Sequence, residues 1–198
     1  MSKAIPAIIL AAGASRRLGE DKALLEVAGN PLVALVAQRL SAAGCTPMVI
    51  VTRAELAFAC LGAAPECKVA INKSPQEGRT GSIQVGLLAL AEDSGRLPKA
   101  VLIVPIDRPG WSLSTLEKVL GTEGCVCPEK DGRGGHPLRI SDVEIEAIMA
   151  APSDLSLRQV TKPQRILVED EFLHLNIDTP EDMVELERWA SQSDGLSR

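Results

Sequence analysis

The chain has 198 residues, 45% hydrophobic and 24% charged, with 21 Lys and Arg against 26 Asp and Glu and a formal charge of −5. That is the size of one ordinary domain and the composition of a globular rather than a disordered protein. Aromatics at 2%, with no Tyr, tell against base-stacking platforms, and the acidic balance gives no general basic footprint for DNA or anionic membrane. Any bound anion needs a local cluster. No apolar run reaches the roughly 18 residues of a membrane helix, and Met1 to Pro6 lacks a signal-peptide pattern. A cytoplasmic protein is expected, with neither nucleic acid nor membrane as partner. The five Cys, at 45, 60, 67, 125 and 127, lack zinc-site spacing and are expected as small buried hydrophobes.

Along the chain, Ala4 to Leu10 is a short apolar run bounded by Ala11-Ala12-Gly13, which predicts a buried strand and then a loop. Asn30 as cap and Pro31 at the first helical position open a helix whose apolar residues recur at helical spacing until Gly44. Met48 to Thr52 and Lys68 to Asn72 predict further strands. A helix opens near Gly81-Ser82, and Ala100 to Ile106 is the most apolar strand, ending at Asp107. Ser114 with Glu117 fits a capping box for the next helix. Strand–helix alternation with near-continuous Val/Ile/Leu strands predicts a three-layer α/β/α fold on a mostly parallel sheet.

After Gly121 the rhythm changes. Gly124 to Pro128 and His136 to Ile140 predict strands flanking a glycine loop, a small irregular hairpin region. Asp142 to Ala151 predicts a helix, and Arg165 to Val168 and Leu173 to Ile177 predict strands. Thr179 caps a last helix with Glu181 and Asp182 in its positive first turn. One domain over residues 1–191 is expected, its nucleotide-like half at about 1–110 and an irregular half at about 111–191, with 192–198 a flexible tail.

The sharpest local feature is Leu10-Ala11-Ala12-Gly13-Ala14-Ser15-Arg16-Arg17-Leu18-Gly19, followed by Lys22. Small residues after a strand let backbone N–H groups approach a ligand and cradle phosphate oxygens. Arg16, Arg17 and Lys22 supply a fork and point charges for the same anion. The segment is neither a Walker loop nor the Gly-x-Gly-x-x-Gly dinucleotide fingerprint, which disfavours a nicotinamide oxidoreductase. A Gly/Ser-rich surface turn with solvated charges is the plain alternative. Asp107 stands at the carboxyl end of a buried strand, where ligands of open α/β sheets bind, and suits Mg²⁺. It fits turn chemistry equally well, as Asp178 fits a helix start. His136, between Gly134-Gly135 and Pro137, reads as a flexible ligand loop or an exposed hairpin tip.

The glycine loop resembles the Leu-Ala-Ala-Gly-x-Ser-x-Arg-x-Gly…Lys signature of the MobA-like NTP transferases, closest to the molybdenum cofactor (molybdopterin) cytidylyltransferase type. Gly78-Arg79-Thr80-Gly81-Ser82, Val104-Pro105-Ile106-Asp107-Arg108-Pro109, Gly132-Arg133-Gly134-Gly135-His136-Pro137 and Asn176 to Asp182 resemble further motifs of that family in the same order. The resemblance implies a Rossmann-like nucleotidyltransferase fold and a Mg²⁺-dependent transfer of a nucleotidyl group, most simply CMP from CTP, to molybdopterin with release of pyrophosphate. It implies Leu10, Ala11, Ala12, Gly13, Ser15, Arg17, Lys22 and Ser82 as nucleotide contacts, with Arg17, Lys22 and Asp107 catalytic. Asp107 and Asp178 would hold the metal, and Gly134, Gly135 and His136 would meet the acceptor. A molybdoenzyme or its chaperone would receive the product, and the chain would be a monomer or weak dimer. Ser153 to Arg158 departs from the family's Gly-Asp-x-Gly-Ala-Arg stretch, and Arg108 replaces a more usual polar residue. GTP, or a sugar or polyol phosphate acceptor, therefore stays open, as does a non-catalytic cofactor carrier.

Overall fold

The computed structural model describes residues 4–13 and 18–193. Its strands are β1 (Ala7–Leu10), the two-residue pieces β2 (Glu26–Val27) and β3 (Asn30–Pro31), β4 (Met48–Thr52), β5 (Lys68–Ile71), β6 (Ala100–Pro105), β7 (Val126–Lys130), β8 (Arg133–Gly134), β9 (Leu138–Ser141) and β10 (Gln164–Leu167). The main sheet has the order β10-β7-β9-β6-β1-β4-β5, with β8 on β7, while β2 and β3 pair apart. From β6 through β1 and β4 to β5 all neighbours are parallel. β9 runs antiparallel between β6 and β7, and β10 is parallel to β7. The mostly parallel α/β/α architecture expected from the sequence is the observed one.

Among the described residues seven helices cover the sheet: α1 (Leu32–Ala42), α2 (Ala54–Ala63), α3 (Arg79–Ser94), α4 (Leu113–Gly121), α5 (Asp142–Ala150), the short α6 (Leu157–Val160) and α7 (Asp182–Ser193). Strand side chains alternate between two cores. Ala7 and Ile9 join Leu32, Val36 and Leu40 of α1, Leu116 of α4 and Leu186 of α7. Ile8 and Leu10 face Ile83, Leu87 and Leu90 of α3 and Ile145 and Ile148 of α5. Helix α3 lies so close to β1 that a Cβ on Gly86 would come 2.7 Å from Ile8 Cγ2, which fixes the start of α3 over the carboxyl end of β1. Four of the Cys are fully buried, and burial pushes the Cys45 and Cys67 thiols up to about 12, in keeping with inert packing residues.

Several local expectations shift. Asn30 and Pro31 lie in a strand pair, so α1 begins at Leu32. Ser112, not Ser114, caps α4 by accepting the Thr115 N–H at 3.1 Å. Asp182 Oδ2, not the Thr179 hydroxyl, takes the N–H groups of Asp178 and Thr179 at 2.8 and 2.7 Å before α7. Leu173 to Ile177 forms turn and coil instead of a strand. Its alternating burial is real, with Leu173, Leu175 and Ile177 buried, but among the described residues no neighbouring strand supplies a ladder. Helix α7 runs on through Ser193, and 194–198 lie outside the described residues. Among the described residues no helix is long and apolar enough to cross a membrane.

Candidate active site

The chain lays β4 and β5 to one side of β1 and then returns to place β6 on the other. The carboxyl ends of β1 and β6 therefore border a topological switch point, where open α/β sheets bind ligands. A cleft of ≈ 440 Å³ opens there. Leu10, Ala11, Ala12 and Gly13 form one wall, and Pro105, Ile106 and Asp107 form the opposite one. A Cβ built on Gly13 would meet nothing within 4 Å among the described residues, so packing against them does not demand glycine there. Ser15, Arg16 and Arg17, the rest of the expected phosphate loop, lie outside the described residues.

Three contacts from β4 and the residue after it hold the first wall. The Ala11 N–H donates to Val51 O at 2.8 Å, Thr52 Oγ1 donates to Ala11 O at 3.3 Å, and Arg53 Nη1 donates to Gly13 O at 2.9 Å. Arg53 Nη2 also donates to Asp21 Oδ1 at 2.6 Å, one residue before Lys22. One guanidinium thus spans both shoulders of the glycine loop. Neither Arg53 nor Asp21 belongs to a motif; the only sequence clue is a cation directly after the strand that neighbours β1.

Lys22 lies in a single 3-10 turn and reaches into the cleft. Its Nζ donates to Asp178 Oδ1 at 2.7 Å and lies 4.0 Å from Asp107 Oδ2. The two carboxylates, 71 residues apart in the sequence, so flank one ammonium. What brings Asp178 there is local packing. A Cβ on Gly110 would lie 1.8 Å from the Phe172 carbonyl oxygen, so only glycine lets segment 172–178 run against 107–111. The Ile177 N–H donates to Asp107 O at 3.0 Å, and Asn176 Nδ2 donates to Asp178 Oδ2 at 2.7 Å.

Ser82 borders the cleft at the start of α3, but its hydroxyl is committed inward. It donates to Gly78 O at 3.2 Å and accepts from Asn72 Nδ2 at 3.0 Å. The hydroxyl thereby braces Gly78, which stands at φ 117°, while Ser82 keeps its place on the cleft wall. Arg79, the first residue of α3, borders the cleft beside it.

Gly134, Gly135 and His136 do not border this cleft, and their segment is not the flexible loop expected. Gly134 is paired with Glu129, and the Gly135 N–H donates to Pro128 O at 2.7 Å. A Cβ on Gly135 would come 2.8 Å from Leu173 Cγ, so packing explains that glycine without any ligand. His136 Nδ1 is sealed from solvent with no hydrogen-bond partner. Burial first, then the charges of Arg79 and Arg108, push its pKa down to about 3, so the imidazole is neutral. His174 Nε2 meets Lys130 O at 2.9 Å, a structural contact.

Residues 7–169 match the family model described as MobA-like NTP transferase domain. A nicotine blue oxidoreductase of Paenarthrobacter nicotinovorans is 28% identical, the alignment covering 92% of this chain and 96% of that protein. A probable molybdenum cofactor guanylyltransferase of Opitutus terrae is 32% identical over 54% of this chain and 50% of its own length; the chain thus spans half of that relative. Among solved structures, a nucleotidyl transferase from Methanothermobacter thermautotroptrophicus superposes with a TM-score of 0.76 at 18% identity, over 96% of this chain and 99% of that one. The motif order, the cleft at the switch point and the model match over most of the length agree, and the chain belongs to the MobA-like NTP transferase domain family.

Proposed function

We propose that this nucleotidyltransferase moves CMP from CTP to the terminal phosphate of molybdopterin, in a single domain whose residues 1–110 serve the nucleotide and 111–191 the acceptor. The observation that carries this reading is the convergence of Asp107 and Asp178 on Lys22 at the mouth of the glycine-lined wall. An acceptor phosphate oxygen attacks the α-phosphorus and forms the new P–O bond. The bond from the α-phosphorus to the bridging oxygen breaks, and pyrophosphate leaves with that electron pair. An ionised phosphate brings no proton to remove, so no general base is required, in keeping with a neutral, buried His136. The protein's work is positioning and charge stabilisation. Backbone from Leu10 to Gly13, with Ser15 and Arg17, holds base and phosphates, and Lys22 meets charge on the triphosphate.

Among the described residues no group of three or more His, Cys, Asp or Glu could cage a metal. Two carboxylates facing a triphosphate cleft do fit Mg²⁺, which takes one or two carboxylates and completes its shell with water and substrate phosphates. Asp107 and Asp178 would hold it, and when bound it supplies Lewis-acid neutralisation of the α-phosphate. CTP is favoured over GTP by resemblance, because the guanine-using branch usually carries Leu-Ala-Gly-Gly where this chain has Leu10-Ala11-Ala12-Gly13; the guanylyl relative argues the other way. Pyrophosphate release measured with CTP, GTP, ATP and UTP, each crossed with molybdopterin and a panel of phosphomonoesters, tests the reading. CTP with molybdopterin should turn over fastest, and no release with any pair removes the proposal. A redox activity is the second reading, favoured by the near full-length alignment with nicotine blue oxidoreductase. A fluorescence titration with NADH and NADPH decides it.

A further inference from the structure

The segment carrying His136 returns to the sheet beside the carboxyl end of β6. The antiparallel register pairs Ile103 with Leu138, so two steps further along β6 and two steps back from β9 bring residue 136 level with Pro105. Asp107 and Arg108 follow immediately. His136 Nδ1 and Arg108 Nε are both buried without a hydrogen-bond partner, and such atoms in a folded protein call for a water or a ligand to meet them. Arg79 comes from the other side, at the first position of α3, where it also borders the nucleotide cleft.

The nearby acids are engaged elsewhere. Asp107 and Asp178 flank Lys22, and Glu77 accepts from Ser153 Oγ at 2.5 Å. Neither Arg79 nor Arg108 makes an ion pair among the described residues. Both guanidiniums bear on His136 strongly enough to oppose its protonation. The Arg108 guanidinium, with its Nε sealed from solvent beside an unpartnered imidazole, is costly to leave without an anion, and the exposed Arg79 brings a second cation to the same imidazole. The planar forks of arginine match the oxygens of a phosphate.

We propose that Arg79, Arg108 and His136 form a second anion subsite, separate from the glycine loop, that receives the phosphate monoester of the acceptor and sets it beside Asp107. This assignment rests on the transferase reading above. It makes Arg79 and Arg108 determinants of acceptor specificity: a dianionic phosphomonoester is taken and a neutral alcohol is not.

Methyl phosphate is the probe, titrated into the full-length protein by ³¹P NMR, with and without saturating Mg²⁺ and a non-hydrolysable triphosphate analogue. The wild type should bind it under both conditions. Arg108→Gln and Arg79→Gln should each weaken it by about tenfold, the effect of one charge-assisted pair, while Arg108→Gln leaves the affinity for the analogue within about twofold. Thermal melts of both variants, one at an exposed and one at a half-buried position, establish that each is folded. Unchanged methyl phosphate binding in folded Arg108→Gln, or one-for-one displacement of the probe by the analogue, overturns the subsite. If the wild type fails to bind the analogue yet keeps arginine-dependent phosphate binding, the transferase reading falls and the subsite stands.

Discussion

The two halves of the site are built on opposite plans. On the β1 side the polar groups are already paired: Arg53 with Gly13 and Asp21, Lys22 with Asp178, Ser82 with Gly78 and Asn72. On the β9 side His136 and Arg108 keep buried atoms without partners. Paired groups fix a shape before any ligand arrives, which is how preorganised sites act. Unpaired ones leave free energy to be recovered on binding. The contrast assigns scaffolding to the first half and ligand-dependent completion to the second.

The strongest way to break the first half is through its carboxylates. Asp107→Asn and Asp178→Asn should each lower pyrophosphate release by about 10²- to 10³-fold, the scale of losing one charge-stabilising group, with the circular dichroism spectrum intact. Activity and Mg²⁺ dependence unchanged in either variant would remove that residue from the site. Next comes Gly110→Ala, whose new methyl would collide with the Phe172 carbonyl. Backbone must shift, and destabilisation of about 1–3 kcal/mol is expected, read as a lower denaturation midpoint together with lost activity. A milder test is Arg53→Met, which frees the Gly13 carbonyl and Asp21; KM for the triphosphate should rise about tenfold with kcat nearly kept. A large fall in kcat with KM unmoved would show that Arg53 does not act by shaping the wall.

The smallest effect sharpens the second half. His136 sits far below its ordinary value of 6.5, so the unfolded chain takes up its proton first as pH falls. Stability from this residue is therefore present above about 6.5 and lost progressively between 6.5 and about 3. At pH 5 the loss is about 1–2 kcal/mol, and His136→Gln should flatten that part of the pH–stability curve. An identical curve in the variant would place the acid sensitivity elsewhere.

The sheet was legible because its central strands are continuous apolar runs; Met48–Thr52 is buried throughout and read directly. Helix α2 was not, since Ala54–Ala63 is apolar apart from Glu55 and Gly62 and even leaves Phe58 88% exposed, which blurs the period. Leu173 to Ile177 deceived in the opposite way, with strand-like alternation and no strand beside it. In the site, the motifs gave Lys22, Asp107 and Asp178 and singled out Arg108, while Arg53 and Arg79 acquire meaning only once the end of β4 and the start of α3 meet the cleft. No local pattern announces Gly110, because its constraint comes from a carbonyl 62 residues away.

Lys22 is the one cation placed between Asp107 and Asp178 among the described ion pairs. By standing between two acids it spares them mutual repulsion and lets the cleft form without a ligand. A divalent ion entering between those acids would meet the ammonium as a rival, and the incoming triphosphate would offer the displaced ammonium new anions. Loading the cleft is then an exchange of counter-ions, with charge handed from one partner to another rather than buried afresh.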